Sequence, residues 1–176
     1  MAGLSRRGGD TDGSVGALRG WLARYGAMSP PQALRLVAQL CAELGAAHKQ
    51  GLVHGAVDPG CVLLHTGRDG TLVGHLRDAT GDVGQVRGYT APERHHEPTV
   101  TSRGDVYAMG CVLWACLTGV PPPAGAHPHE LRLADGRPAP DQLEALLEGM
   151  LRNDPVDRFS SLAEIGREAE WIADRL

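Results

Sequence analysis

The longest apolar run in the chain extends from Val106 to Val120, about 15 residues, between Asp105 and three consecutive prolines. A transmembrane helix needs ~20 residues, so this run is too short to span a bilayer. A helix that is apolar on every side and cannot span a membrane is buried in a protein core. The sequence therefore predicts a central helix from about Ser102 to Thr118, which other helices must surround.

The composition excludes several classes of function. The net charge is −4 and the isoelectric point is about 6.0, so we expect no surface for nucleic acid and no membrane binding. No apolar segment follows Arg6 and Arg7, and no signal peptide is predicted. The four cysteines lack CxxC and zinc spacing, which favours reduced thiols in the cytoplasm. The histidines near His95 and His127 are expected to be exposed loop residues, not metal ligands.

Periodicity and capping signals divide the rest of the chain into short elements. They predict a mainly α domain over residues 13–176, preceded by a flexible, Gly-rich tail over 1–12. The predicted elements are a helix from Ser14 to Gly26, a helix from Ser29 to about His48, a β-hairpin over 61–76, an irregular loop over 77–101, the central helix, a helix from Asp141 to about Arg152, and a last helix from Ser161 with Trp171 facing inward.

Three segments resemble one known family. Residues 52–64, Leu-Val-His-Gly-Ala-Val-Asp-Pro-Gly-Cys-Val-Leu-Leu, are similar to the catalytic-loop segment of protein kinases, which reads His-Arg-Asp-Leu-Lys-Pro-x-Asn before an apolar strand. Residues 89–93, Tyr-Thr-Ala-Pro-Glu, followed by Gly-Asp-Val-Tyr at 104–107, resemble the Ala-Pro-Glu segment and the buried helix of the same family. Residues 153–158 resemble the turn before its final helix. The resemblance implies the mainly helical C-terminal lobe of a Ser/Thr-type protein kinase, with a small β-hairpin.

The resemblance also implies which residues hold such a lobe together. Asp105 matches an aspartate that accepts backbone N–H groups from the loop around His54. Glu93 and Arg158 match a pair that forms a buried salt bridge between the Ala-Pro-Glu segment and the last helices. These four residues are therefore expected to be structural anchors.

The positions that the family uses for chemistry carry other residue types. The aspartate that orients the acceptor hydroxyl aligns with Ala56, the loop lysine with Asp58, and the metal-binding asparagine with Cys61. Asp78 falls where the second metal ligand is expected, without the Phe-Gly that follows it in the family. The only lysine, Lys49, is not placed to bind phosphate. We therefore expect no enzyme activity, no cofactor and no ATP binding.

The nucleotide-binding lobe is expected to be absent. Such a lobe, a five-stranded sheet and a helix, requires upwards of ~60 residues. Only about 13 residues precede the first predicted helix.

Two functions follow from this expectation. The first is a catalytically inactive, pseudokinase-like module for protein interaction, scaffolding or regulation. Its protein partner, or a second copy, would cover the surface left by the missing lobe, near Trp21, Tyr25, Val57 and Leu72. The alternative is half of a split Ser/Thr protein kinase or phosphotransferase, completed by a separate ATP-binding lobe. A decayed gene remnant is a third interpretation, although the intact capping signals favour a chain that folds.

Overall fold

The structure is a computed structural model that describes residues 14–77, 87–123 and 127–176. The predicted tail over 1–12 and Asp78 lie outside these residues. In chain order the described elements are β1 Ser14–Ala17, α1 Leu18–Tyr25, α2 Pro30–Lys49, β2 Val62–Thr66, β3 Leu72–Leu76, α3 Ser102–Thr118, α4 Asp141–Met150 and α5 Leu162–Ala173, with short 3-10 turns at Pro92–His95, Pro128–Glu130 and Pro155–Asp157. The mainly α fold predicted from the sequence is confirmed.

Helix α3 is the centre of the hydrophobic core, as its composition predicts. Its long side chains, Met109, Leu113 and Leu117 among them, are fully buried. The Thr101 hydroxyl accepts the Gly104 N–H at 3.0 Å and caps the helix at its first residue. Gly119 ends it in the left-handed conformation, with φ of 83°.

Helix α2 packs against α3, α5 and β3 through its apolar face. Pro30 and Pro31 occupy its first turn. Backbone N–H groups in a first turn have no acceptor within the helix, so proline, which lacks this group, is tolerated there. Ser29 has the extended backbone of an N-cap, but its side chain makes no capping bond. Gly166 brings α5 close to α2, since a Cβ atom at this position would lie 3.4 Å from the Ala38 carbonyl oxygen.

The sheet has three strands in the order β1-β2-β3, all antiparallel, where the sequence predicted a two-stranded hairpin. The predicted helix start at Ser14 is wrong, because residues 14–17 pair with β2 and α1 begins at Leu18. On the far edge of β3, the Gln39 and Glu43 side chains of α2 accept the backbone N–H groups of Gly74 and Leu76 at 3.0 and 3.1 Å. The helix thereby protects an edge that would otherwise present unpaired donors.

The final helix differs from its prediction in one respect. Trp171 is 48% exposed and does not face the core. Its ring stacks under the Arg175 guanidinium, 3.8 Å from the ring centroid, while Ile172 fills the inward position. In the described part of the chain, no helix has both the length and the hydropathy needed to cross a bilayer.

Candidate functional site

The loop between α2 and β2, residues 52–61, is held from below by Asp105 in the first turn of α3. The Asp105 carboxylate accepts the His54 N–H at 2.9 Å and the Gly55 N–H at 2.7 Å. His48, in the last turn of α2, places its Nε2 atom 2.8 Å from the same carboxylate. Asp105 is almost fully buried, and a buried carboxylate is stable only when its oxygens are paired in this way. The Asp105 carboxylate therefore joins the loop to both α2 and α3.

The His54 side chain has both ring nitrogens engaged. Its Nδ1 atom accepts the Ala56 N–H at 3.2 Å, and its Nε2 atom lies 2.9 Å from the Arg77 carbonyl oxygen, to which it donates. These bonds select the neutral tautomer with the proton on Nε2. A ring in this state has no lone pair left for a substrate, so the geometry favours a supporting role over a general base.

Asp58 organises the turn that leads into β2. Its Oδ1 atom accepts the N–H groups of Gly60 and Cys61 at 2.7 and 3.0 Å, and its Oδ2 atom pairs with the Arg19 guanidinium from α1. The Asp58 side chain is nearly buried. The contacts found for this carboxylate therefore join the turn to itself through Oδ1 and to α1 through Oδ2.

The Cys61 thiol stays protonated at neutral pH. Burial raises its pKa above the ordinary value, and the thiol donates to the Asp58 carbonyl oxygen at 3.1 Å. Magnesium prefers oxygen ligands in octahedral geometry, and a protonated thiol does not serve it. The described residues of the loop therefore do not fit a magnesium site, and among the described residues no group of three or more His, Cys, Asp or Glu is placed to hold a metal ion.

The Glu93–Arg158 pair joins the segment after residue 87 to the helices behind it. Arg158 donates to both carboxylate oxygens of Glu93 at 2.7 and 2.8 Å. It also donates to the backbone carbonyls of Arg152, Asn153 and Arg103 at 2.7, 3.0 and 2.9 Å. All five N–H groups of this guanidinium thus have an acceptor.

The segment 89–94 closes over the loop. Arg94 donates from Nη1 to the Gly55 carbonyl oxygen at 2.7 Å. A cavity of about 20 Å³, enough for about one water molecule, lies between the two segments and is lined in part by Ala56 and Tyr89. Burial, with the charge of Asp58 among the smaller causes, raises the pKa of Tyr89 to about 12. Ala56 thus lies where the two segments meet, with only a methyl group to offer.

The structure divides the predicted interaction surface. Tyr25 is 56% exposed, and Trp21 and Leu72 are partly buried against the core. Val57 is only 1% exposed and belongs to the core, so its assignment to an interaction surface is wrong. Its side chain is part of the hydrophobic core cluster, although the residue lies in a loop. A groove of about 250 Å³ beside the loop is lined by residues that include Leu44, Leu52, Val53 and Leu76.

Two residues of this site were not found from the sequence. Arg19 and His48 contact the loop through Asp58 and Asp105, respectively, across 39 and 57 residues of chain. His48 lies in the last turn of a predicted helix, a position that signals only a favourable helix end. The glycine at position 60 is the one sequence signal related to the Arg19 contact, because a Cβ atom there would lie 3.1 Å from the Arg19 Nη2 atom.

Comparison with known proteins agrees with this geometry. No protein-family model matches the chain. Serine/threonine-protein kinase PknD of Mycobacterium tuberculosis is 35% identical over 171 residues, which cover 85% of this chain and 26% of that protein. PknH of Mycobacterium bovis is 31% identical over 176 residues, which cover 87% of this chain and 29% of that protein. The chain is a homologue of Ser/Thr protein kinases.

The fold agrees with that relationship. The kinase domain of Mycobacterium tuberculosis PknI superposes with a TM-score of 0.71 at 26% identity, over 92% of this chain and 64% of that domain. The chain therefore has the fold of a kinase C-terminal lobe. It spans between a quarter and a third of the length of the curated kinases it matches.

The expectation that the chain is not an enzyme is contradicted by these comparisons. The relatives are named as Ser/Thr protein kinases, and the structural neighbours are kinase domains, so both point to an enzyme. The expectation rested on residue types at aligned positions. Phosphoryl transfer depends mainly on positioning and charge neutralisation, which a single aligned position does not measure.

Proposed function

We propose that this chain is the substrate-side lobe of a Ser/Thr protein kinase, completed by a separate ATP-binding lobe. In this division of labour the other lobe binds the nucleotide with its metal, and the present chain holds the acceptor peptide beside the loop 52–61. The proposal extends the homology with Ser/Thr kinases to an activity, and it takes the partner to be an ATP-binding lobe.

The observation that supports the proposal best is the complete network beneath the loop. Asp105 holds two loop amides, and Arg158 holds Glu93 of the segment 89–94 that covers the loop. Each network contains a buried charge whose loss is costly, about 3–5 kcal/mol when one partner is removed. Together the two networks fix the loop relative to the segment 89–94, which is the arrangement that the proposal requires.

The groove beside the loop supports the second part of the proposal. It contains apolar side chains, and Leu52 at its rim is 60% exposed. Exposed apolar surface next to a functional loop is typical of a face that binds another protein. The ATP-binding lobe is the partner that we propose for this face, and self-association is the outcome that would argue for a second copy instead.

The loop would act by position and not as a proton acceptor. Ala56 has no acceptor, and both nitrogens of His54 are occupied. A loose transition state places little demand on a base, so transfer proceeds without one, but slowly. A general base contributes ~10²–10⁴-fold in enzymes that have one.

The experiment adds an ATP-binding lobe. The ATP-binding lobe of the 35% identical relative is expressed separately, mixed with this chain, and given radiolabelled ATP with magnesium and a Ser/Thr peptide library. We expect slow peptide labelling that needs both lobes. Each lobe alone is the control, and the absence of labelling above the sum of these controls would contradict the proposal.

A pair of variants tests the position of Ala56 in the same mixture. Ala56→Asp supplies a carboxylate where the loop meets the segment 89–94, and we expect the rate of phosphate transfer to the peptide to rise ~100-fold. Ala56→Asn has nearly the same shape without the basic oxygen and is expected to leave the rate close to that of the parent chain. Equal rates for the two variants would show that residue 56 does not face the acceptor hydroxyl.

A further inference from the structure

Arg19 makes three separate approaches to the loop turn at residues 58–60. Its backbone N–H donates to the Pro59 carbonyl oxygen at 2.9 Å, and its guanidinium pairs with the Asp58 carboxylate. The same guanidinium lies across Gly60, since a Cβ atom at that position would be 3.1 Å from Arg19 Nη2 and 3.2 Å from Cζ. A glycine at this point leaves room for the guanidinium to lie this close.

The chain before Arg19 is also attached to this region. Strand β1 pairs with β2, with Ala17 opposite Leu63, so the start of α1 is held beside the turn by backbone hydrogen bonds. Leu18 next to Arg19 is fully buried. The position of the Arg19 backbone is therefore fixed by contacts that do not involve its side chain. The guanidinium extends from this fixed backbone to Asp58.

The electrostatic consequence concerns a phosphate donor. Asp58 is a nearly buried carboxylate of the loop 52–61, beside which the proposed kinase would transfer the phosphate. An unpaired negative charge there would repel the phosphates of a nucleotide, and at an effective dielectric of about 20 the repulsion at ~6 Å is worth a factor of ten or more in affinity. The Arg19 side chain is 64% exposed, so it neutralises Asp58 while still facing solvent.

We infer that Arg19 is a positioning residue of this kinase, which neutralises Asp58 and so allows an anionic phosphate donor to approach the loop. The inference rests on the proposed function and adds a residue from α1 to its site. Arg19 acts through Asp58. Its loss therefore leaves the loop's own hydrogen bonds from Gly60 and Cys61 to Asp58 in place.

The first test uses the chain alone and a double-mutant cycle. Arg19→Gln strands the Asp58 charge, while Asp58→Asn removes that charge and keeps an oxygen for the two loop amides. We expect Arg19→Gln to raise the unfolding equilibrium constant about fivefold, and less in the Asp58→Asn background, as measured by urea denaturation. Arg24→Gln, on the exposed side of the same helix, is the matched control; it removes only the contact with the Tyr25 ring, 5.3 Å away, and should have a smaller effect. Additive effects of the two substitutions would overturn the inference.

The second test uses the completed two-lobe enzyme. Arg19→Gln should raise the KM for ATP about tenfold with a smaller effect on kcat, because the unpaired Asp58 repels the donor before chemistry. Asp58→Asn in the Arg19→Gln background should restore KM, which loss of a merely structural contact would not predict. An unchanged KM in Arg19→Gln would overturn the inference. If the parent mixture has no activity, the proposed function fails while the cycle on the chain alone still decides the pairing.

Discussion

The Glu93–Arg158 pair gives the sharpest quantitative test of the fold. Glu93→Gln removes the negative charge and replaces one of the two carboxylate oxygens with an amide donor. Arg158 then keeps its three backbone acceptors but remains a positive charge whose side chain has no solvent exposure. Removing one partner of a buried pair costs about 3–5 kcal/mol, and the partial exposure of Glu93 places the expectation at about 3 kcal/mol.

The assay is urea unfolding at pH 7, followed by circular dichroism. The matched control is Glu148→Gln, which breaks the 2.9 Å surface pair between Glu148 of α4 and Arg152 just beyond the helix, where both side chains are about half exposed. Exposed pairs of this kind contribute ~0.3–0.5 kcal/mol. A loss below about 1 kcal/mol for Glu93→Gln would refute the assignment of a buried, structurally required pair.

The pH dependence of the same measurement follows from the pKa of Glu93. Burial opposes ionisation, but the Arg158 hydrogen bonds and charge outweigh it and lower the pKa of Glu93 below its ordinary value. Stabilisation by ionised Glu93 is therefore complete above the unfolded-state pKa, about 4.3, and is lost as the pH falls through the lower folded-state value. The difference between parent and Glu93→Gln should be constant from pH 7 to 5 and shrink below about pH 4. A difference that stayed constant down to pH 3 would contradict this reasoning.

Three further predictions concern the core and the loop. Gly110→Ala should destabilise the chain by ~1–3 kcal/mol in urea unfolding, because its Cβ atom would lie 2.9 Å from an α4 side chain, whereas Gly20→Ala on open α1 surface should stabilise it slightly. Asp105→Asn should increase hydrogen exchange at the two loop amides that it holds by at least tenfold, measured by mass spectrometry. Burial raises the pKa of Cys41 and Cys116 to about 12, so an alkylating reagent at pH 8 should leave both unmodified until urea unfolds the protein.

The helical part of the fold could be predicted because each helix carries a local signal. The central helix is apolar on every side, α2 begins at Pro30, and α5 follows its N-cap Ser161. The strand β1 could not be predicted in this way. Its four residues have no alternation of their own, and they become a strand only because β2 offers a partner 45 or more residues away. A pairing of that kind is a tertiary effect.

The exposure of single side chains was the least predictable feature. Val57 and Trp171 were both placed wrongly, in opposite directions. Val57 lies in a loop in which Asp105 accepts two backbone N–H groups, and its side chain is buried in the core. Trp171 lies one position before the inward-facing Ile172. Its ring contacts the Arg175 guanidinium at the surface and does not enter the core. In both cases a neighbouring contact, not the residue type, decides the direction.

The candidate site shows why residue matching and function can point in different directions. Aligned positions identify what a family usually places at residues 56, 58 and 61, and at each of them this chain differs. They do not reveal that Asp58 forms an ion pair with Arg19, because the two residues lie in segments that no sequence pattern connects. The Asp58 carboxylate and the Arg19 guanidinium together have no net charge, whereas the lysine that the family places at this position contributes +1. The electrostatic condition for approach of a phosphate is therefore set by the pair, and Gly60, which leaves room for the guanidinium, is part of that condition.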